Sequence, residues 1–236
     1  FGSSVALNDG GSLLAVGADG DNTGGNSRGA VYLLTLDPAD LAAAPTLENK
    51  IADGTSGLSL SIGDQFGRSV ALSDSGSLLA VGARGDDTGG TGVLASRGAV
   101  YLLTLDPANL DDAPTLENKI ADGTSGLSLA DGDFFGSSVA LNDGGSLLAV
   151  GATGDDTGGS FRGAVYLLTL DTANLDDAPT LENKIDDNSV VGLNLANSDL
   201  FGNSVALNDS GSLLAVGARG DNTGGNDRGA VYLFSL

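Results

Sequence analysis

Four segments of the chain open with the same dipeptide, Phe1-Gly2, Phe66-Gly67, Phe135-Gly136 and Phe201-Gly202, and nearly the same sequence follows each. The spacings are 65, 69 and 66 residues. The long one has a visible cause: the second copy carries Thr91-Gly92-Val93-Leu94-Ala95-Ser96 where the first has only Asn26-Ser27. Such regularity means one structural unit reused along the chain, each copy burying its apolar surface against the next. The copies run 1–65, 66–134, 135–200 and 201–236.

Each copy reads as four strands. The first is Ser4-Val5-Ala6-Leu7. The Asx and Gly cluster Asn8-Asp9-Gly10-Gly11 then signals a tight hairpin into Ser12–Ala18. A polar, Gly-rich loop from Asp19 to Ser27 leads to the third strand, Gly29–Leu36. Asp37-Pro38-Ala39-Asp40-Leu41 suits a single helical turn, with Asp as cap and Pro at its first position. The fourth strand is Thr46–Ile51, with Leu47 and Ile51 on one side and Glu48 and Lys50 on the other. The second and third strands are apolar on both faces, which requires a sheet covered on both sides. Three inner strands buried on both faces and one amphipathic outer strand describe the blade of a β-propeller. The expected fold is therefore all-β, a propeller of four-stranded antiparallel blades in about 3.5–4 repeats. A row of separate sandwiches fits less well, because a unit of about 65 residues has too small a core without disulfides. The fourth copy stops after its third strand, and no Asp precedes Phe1 as Asp64, Asp133 and Asp199 precede the other Phe-Gly pairs. Two arrangements follow: four blades closing with one open edge, or a segment of a longer array. An open edge offers unpaired N–H and C=O groups to another strand.

Composition removes several functions. There is no His and no Cys, so Ser-His-Asp triads, His-based zinc sites, thiolate metal sites and disulfides are all excluded. With 10 Lys and Arg against 31 Asp and Glu the formal charge is −21, which makes nucleic acid and anionic membranes poor partners. No apolar run approaches the ~20 residues that span a bilayer.

Phe-Gly, then Ser-Val-Ala-Leu, then Ala-Val-Gly-Ala, then Arg-Gly-Ala-Val-Tyr-Leu resembles the FG-GAP repeat of integrin α-subunit propellers. It is more similar still to the bacterial FG-GAP-like repeats of large secreted and cell-surface proteins, as Asp64-Gln65-Phe66-Gly67 and Asp133-Phe134-Phe135-Gly136 illustrate. The resemblance covers the whole chain and implies the propeller fold and an extracellular or cell-surface location. One feature departs from it. The integrin calcium loop joins the first two strands, and here that loop is a short turn with one Asp per copy, so that site does not carry over.

The loop between the second and third strands offers a different oxygen set. It holds Asp19, Asp21 and Asn22 in the first copy, Asp86 and Asp87 in the second, Asp155 and Asp156 in the third, and Asp221 and Asn222 in the fourth. Each pair stands beside Thr and free Gly carbonyls. Such oxygens suit a hard cation such as Ca²⁺; they equally suit a turn in which Asp accepts backbone N–H bonds. An Arg precedes Gly-Ala-Val-Tyr in every copy, at Arg28, Arg97, Arg162 and Arg228, and reads as a structural ion pair with the neighbouring loop Asp. The tyrosines Tyr32, Tyr101, Tyr166 and Tyr232 read as core, and Glu48 with Lys50 as an exposed charge pair. The acids recur identically in each copy, whereas an active site is normally single, which points away from an enzyme. Two roles remain. One is a structural or adhesive segment of a secreted surface or matrix protein, assembling with itself through open blade edges. The other is a calcium-dependent module binding a glycan or surface protein, for which the inserted Val93 and Leu94 break the symmetry.

Overall fold

The computed structural model describes residues 1–40, 42–90, 95–190, 192–225 and 228–236. The hairpins form where the turn chemistry places them. In the first, Asn8 accepts from Gly11 N at 3.0 Å through its carbonyl, and its side-chain Oδ1 accepts from Leu13 N at 2.9 Å. This closes β1 (Ser4–Leu7) on β2 (Leu13–Ala18), and β3 (Ala30–Thr35) and β4 (Thr46–Ala52) follow in antiparallel order. The second sheet is β5 (Phe66–Leu72), β6 (Leu78–Ala83), β7 (Ala99–Thr104) and β8 (Thr115–Ile120). The third is β9 (Phe135–Leu141), β10 (Leu147–Ala152), β11 (Ala164–Thr169) and β12 (Thr180–Ile185). The fourth has three strands, β13 (Phe201–Leu207), β14 (Leu213–Ala218) and β15 (Ala230–Ser235).

The chain is all-β, and among the described residues there is no helix. The segment expected to form a helical turn is a tight turn instead: Asp37 caps Ala39 N at 2.9 Å and its carbonyl accepts from Asp40 N at 3.1 Å. Leu41 lies outside the described residues. Among the described residues no helix is long and apolar enough to cross a membrane.

The sheets stand as blades, with their first strands side by side: β1 against β5, β5 against β9, β9 against β13. A cleft of about 240 Å³ lies between them, lined by Leu7, Val70, Leu72, Val139, Leu141 and Val205 among others. Each junction uses the same contacts. Phe66 N donates to Arg28 O at 2.9 Å, and Ser4 Oγ donates to Gly67 O at 2.9 Å. Gly17 faces that carbonyl so closely that a Cβ would lie 2.0 Å from it, which explains the invariant Gly of Ala-Val-Gly-Ala. Phe66, Phe135 and Phe201 are sealed at these junctions, each edge-on to a tyrosine of its own blade at 5.4 to 5.5 Å.

The two inner blades have both faces covered, as expected. The outer two do not, because each has a neighbour on one side only. Leu13, Val31 and Leu33 are at most 2% exposed between the first and second blades. Their fourth-blade equivalents Leu213, Val231 and Leu233 are 53%, 72% and 79% exposed. The first blade opens its opposite face, where Phe1, Val5 and Leu7 are exposed. The four blades thus form an open arc, with different faces of one repeated surface bare at the two ends.

Candidate functional site

The rim is built from the loop after the second strand, the tyrosine of the third and the lysine of the fourth. In the first copy Asp21 Oδ2 accepts from Tyr32 OH at 2.8 Å and pairs with Lys50 Nζ at 3.0 Å. Lys50 also donates to Thr23 Oγ1 at 2.7 Å, and Asp21 Oδ1 takes Thr23 N at 2.8 Å. The second copy repeats this with Tyr101, Asp86 and Lys119, and the third with Tyr166, Asp155 and Lys184. In the fourth, Tyr232 donates to Asp221 at 2.6 Å, and among the described residues no Lys reaches that carboxylate.

One reading from sequence is corrected here and another is extended. The lysines are not paired with the nearby glutamates; Glu48 is the extra residue of a β-bulge and accepts from Thr35 Oγ1 at 2.6 Å. The tyrosines are packed on the core side, yet each spends its hydroxyl on the rim Asp. Burial and then the adjacent Asp86 raise the Tyr101 hydroxyl well above its usual pKa. Burial works against the charged form of Asp86, but Lys119 and the Thr88 donors outweigh it and hold the carboxyl below the usual range. Asp155 behaves likewise with Lys184 and Thr157.

The second loop position is a turn device. Asn22 Oδ1 accepts from Ser27 N at 2.8 Å, Asp87 Oδ1 from Ser96 N at 2.7 Å and Asp156 Oδ1 from Phe161 N at 2.7 Å. Asn222 is also engaged. Asp19 stands apart from this loop, pairing with Arg68 of the second blade at 3.3 Å. Among the described residues no group of three or more carboxylates converges on a point where a metal ion would sit. In three copies an ammonium group already occupies the side of the rim Asp that a cation would need.

The arginines do form structural ion pairs, but not with the loop Asp. Arg28 pairs with Asp53, Arg97 with Asp122 and Asp131 at 2.5 and 2.7 Å, and Arg162 with Asp187. Asp53 Oδ1 also caps Leu60 N at 2.8 Å, so the pair staples the connection from the fourth strand to the next blade. The signal was in the sequence: an Asp stands 25 residues after each of these three arginines. The corresponding position for Arg228 lies past Leu236, and among the described residues Arg228 has no ion pair. Val93 and Leu94 lie outside the described residues.

Behind the rim sits a buried acid that the sequence marked only as part of the Phe-Gly motif. Asp64 is 3% exposed, accepts from Ser61 N at 2.7 Å, and faces Asp86 and Asp87 across a cleft of about 250 Å³ that Lys119 also lines. Burial, with repulsion from Asp86, raises its pKa to about 6. Asp133 is held the same way at about 6. Asp199 is also raised, and its Oδ1 has no hydrogen-bond partner.

Comparison with known proteins agrees with this geometry. A model of the FG-GAP repeat matches residues 60–103, 129–168 and 190–234, together more than half of the chain. No curated protein matches. Among solved structures, the periplasmic gluconolactonase PpgL of Pseudomonas aeruginosa superposes with a TM-score of 0.60 at 12% identity, over 100% of this chain and 57% of that one. Sqt1 of Chaetomium thermophilum superposes at 0.53 and 16% identity, over 99% and 43%. Its complex with the N-terminus of ribosomal protein L10 gives 0.54 and 15%, over 99% and 45%. At these identities the likeness is one of fold, and the chain spans about half the length of the structures it matches.

Proposed function

Because this chain belongs to the FG-GAP repeat family, we propose that it is a non-enzymatic structural or adhesive module of an extracellular surface or matrix protein, which assembles head to tail with further copies of itself. One observation carries this: Val231 and Leu233 are 72% and 79% exposed, while the same residues of the first blade, Val31 and Leu33, are fully covered by the second. What covers them there is the Phe-Gly face of the next blade, and the first blade of the chain presents that face bare. A second copy therefore brings the surface that the fourth blade lacks. Ser204 Oγ would meet the Gly2 carbonyl of that copy as Ser4 meets Gly67. Burying a Leu or Val side chain contributes about 1.5–3 kcal/mol, and at least five such side chains are bare across the two ends. The contact joins unlike surfaces, so it propagates as a filament unless its rotation closes a ring.

A non-catalytic role is supported by the rim, where the first loop acid, Asp21, Asp86, Asp155 or Asp221, repeats in every blade and is spent on Tyr, Lys or backbone. Sedimentation across a range of concentrations tests assembly, with electron microscopy to separate filament from ring. The proposal expects concentration-dependent association that Leu233→Asp abolishes. A wild-type chain that stays monomeric at every concentration would sink it. A second reading, calcium-dependent binding of a glycan or surface protein at the rim, rests on the fourth copy, where Asp199 keeps an unpartnered oxygen.

A further inference from the structure

In three copies the fourth strand brings one lysine to the rim, and the same three groups receive its ammonium each time. Lys50, Lys119 and Lys184 reach the rim Asp at 3.0, 2.7 and 2.8 Å. They donate to Thr23, Thr88 and Thr157 Oγ1 at 2.7, 2.7 and 2.8 Å. They lie 5.1, 5.1 and 5.3 Å from the centres of the Tyr32, Tyr101 and Tyr166 rings. The fourth copy keeps this receptor without a lysine among the described residues. Asp221 is 2% exposed and accepts from Tyr232 OH and from Thr223 N, each at 2.6 Å. Next to it in the fold is Asp199, whose carbonyl accepts from Gly220 N at 3.0 Å. Asp199 is also 2% exposed; one carboxylate oxygen accepts from Ala196 N at 2.7 Å and the other has no partner. Two buried carboxylates thus stand together without the cation that the other copies supply.

The fourth strand also supplies a second charge. Asp53, Asp122 and Asp187 follow those lysines by three residues and pair with Arg28, Arg97 and Arg162. Arg228 is exposed and has no such partner among the described residues. The backbone is open at the same place. β15 is hydrogen-bonded to β14 along one edge, and among the described residues no strand takes the other, which β4, β8 and β12 occupy in their blades. Their register is constant: Lys50 stands opposite Tyr32 and Leu47 opposite Leu34, and the next two blades repeat both pairs. The fourth copy has Phe234 where the others have Leu34, Leu103 and Leu168. Phe234 is half-buried, its ring 6.0 Å from that of Phe201. Tyr232 and Phe234 lie on the opposite side of β15 from Val231 and Leu233, so this edge is separate from the bare blade face.

We infer that the free edge of β15 binds an extended segment of another polypeptide with the pattern Leu-x-x-Lys-x-x-Asp. Its lysine seats on Asp221, Thr223 and Tyr232, its leucine on Phe234 and its acid on Arg228. Strand pairing supplies affinity with little regard to sequence, and the side chains select. The lysine discriminates most, because its three N–H donors answer a buried carboxylate and a hydroxyl at once. The acid adds less, since Arg228 is exposed. The three segments of this chain that carry the pattern, ending at Asp53, Asp122 and Asp187, are each paired in their own blades, so the occupant comes from elsewhere. The docking holds whether or not copies stack through their blade faces.

Fluorescence anisotropy of a labelled peptide of residues 180–187, Thr-Leu-Glu-Asn-Lys-Ile-Asp-Asp, titrated with the full chain tests it. The expected result is saturable binding, weakened about 10-fold by Lys184→Gln in the peptide and about 2- to 5-fold by Asp187→Asn. Arg228→Gln in the protein should weaken the unaltered peptide and leave the Asp187→Asn peptide unaffected, a pattern that loss of folding cannot imitate. Butylamine, which offers the ammonium alone, should displace the peptide only at far higher concentration. Four results would each overturn the assignment: no saturable binding, equal binding of the unaltered and Lys184→Gln peptides, the same loss for both peptides in Arg228→Gln, or butylamine binding as tightly as the peptide.

Discussion

Replacing Asp64 by Asn should stabilise the protein at neutral pH and lose that advantage near pH 4, where only the cost of burying the amide is left. The carboxyl is 3% exposed and its pKa rises from 3.8 to about 6, burial being the main cause and Asp86 adding repulsion. Below pH 3.8 the group is protonated folded or unfolded and contributes nothing. Between 3.8 and 6 the unfolded chain ionises first. Above 6 both states are ionised and the full penalty applies. Stability from this group therefore falls as pH rises from about 4 to 6 and is flat beyond. Two pH units correspond to about 3 kcal/mol. Asn keeps an oxygen for Ser61 N but buries an amide that needs partners, so the expected gain at pH 7 is nearer 1–2 kcal/mol. Urea unfolding at pH 7 and pH 4 reads this directly. A variant less stable than wild type at pH 7, or one equally stabilised at both pH values, refutes the reasoning. The first outcome would mean that the charge is used, as a bound cation would use it.

Asp133→Asn should behave the same way, and the double variant should be additive because the two sites belong to different blades. Chelator should leave the melting temperature unchanged, since Lys50, Lys119 and Lys184 already neutralise the rim acids; a fall of several degrees would restore the calcium reading of the loops. Tyr101→Phe should cost about 1–3 kcal/mol in thermal or urea unfolding by taking a donor from buried Asp86, with a smaller loss for Tyr232→Phe in the exposed fourth blade. Gly82→Ala places a Cβ 2.1 Å from the Gly136 carbonyl and should prevent stable folding, seen by circular dichroism. At Gly217, by contrast, a Cβ meets only the movable Ser204 side chain, so Gly217→Ala should fold normally and lose self-association in sedimentation.

The strands and blades were legible because each rule behind them acts over a few residues. Alternation in Ala30–Thr35, the Asx-Gly turns and the Phe-Gly spacing all report local geometry that the sheets reproduce. The segment after Asp37 was misread as helical because its cap is real but no periodic apolar face follows to sustain a helix. The rim was legible in its residues and not in its partners. Lys50 and Glu48 sit two apart on an alternating strand and so seem to share a face. The bulge at Glu48 breaks that alternation, and Lys50 instead crosses to Asp21. Arg28 likewise passes over its adjacent loop to reach Asp53, which stands directly after the fourth strand where the connection to the next blade begins. Partners fixed by how the chain returns on itself leave only a constant spacing in the sequence.

Repetition and its exceptions divide the molecule by task. Where the same residue recurs in every copy, its surroundings in the inner blades are saturated: the rim Asp by Tyr and Lys, the Gly of Ala-Val-Gly-Ala by the next blade's carbonyl. A saturated group holds a scaffold together and has nothing left to offer a ligand. The same group becomes an offer only where its neighbour is missing, as at Ser204, Gly217, Val231 and Leu233, and what it then fits is another copy of the same blade. Binding of anything chemically different must come from positions released from the repeat. One such position, directly after the second strand of each blade, changes from Asp19 to Arg84 to Thr153 to Arg219. A chain that must only stack would be served by hydroxyls there, as Ser137 and Thr153 of the third copy already demonstrate by pairing with each other.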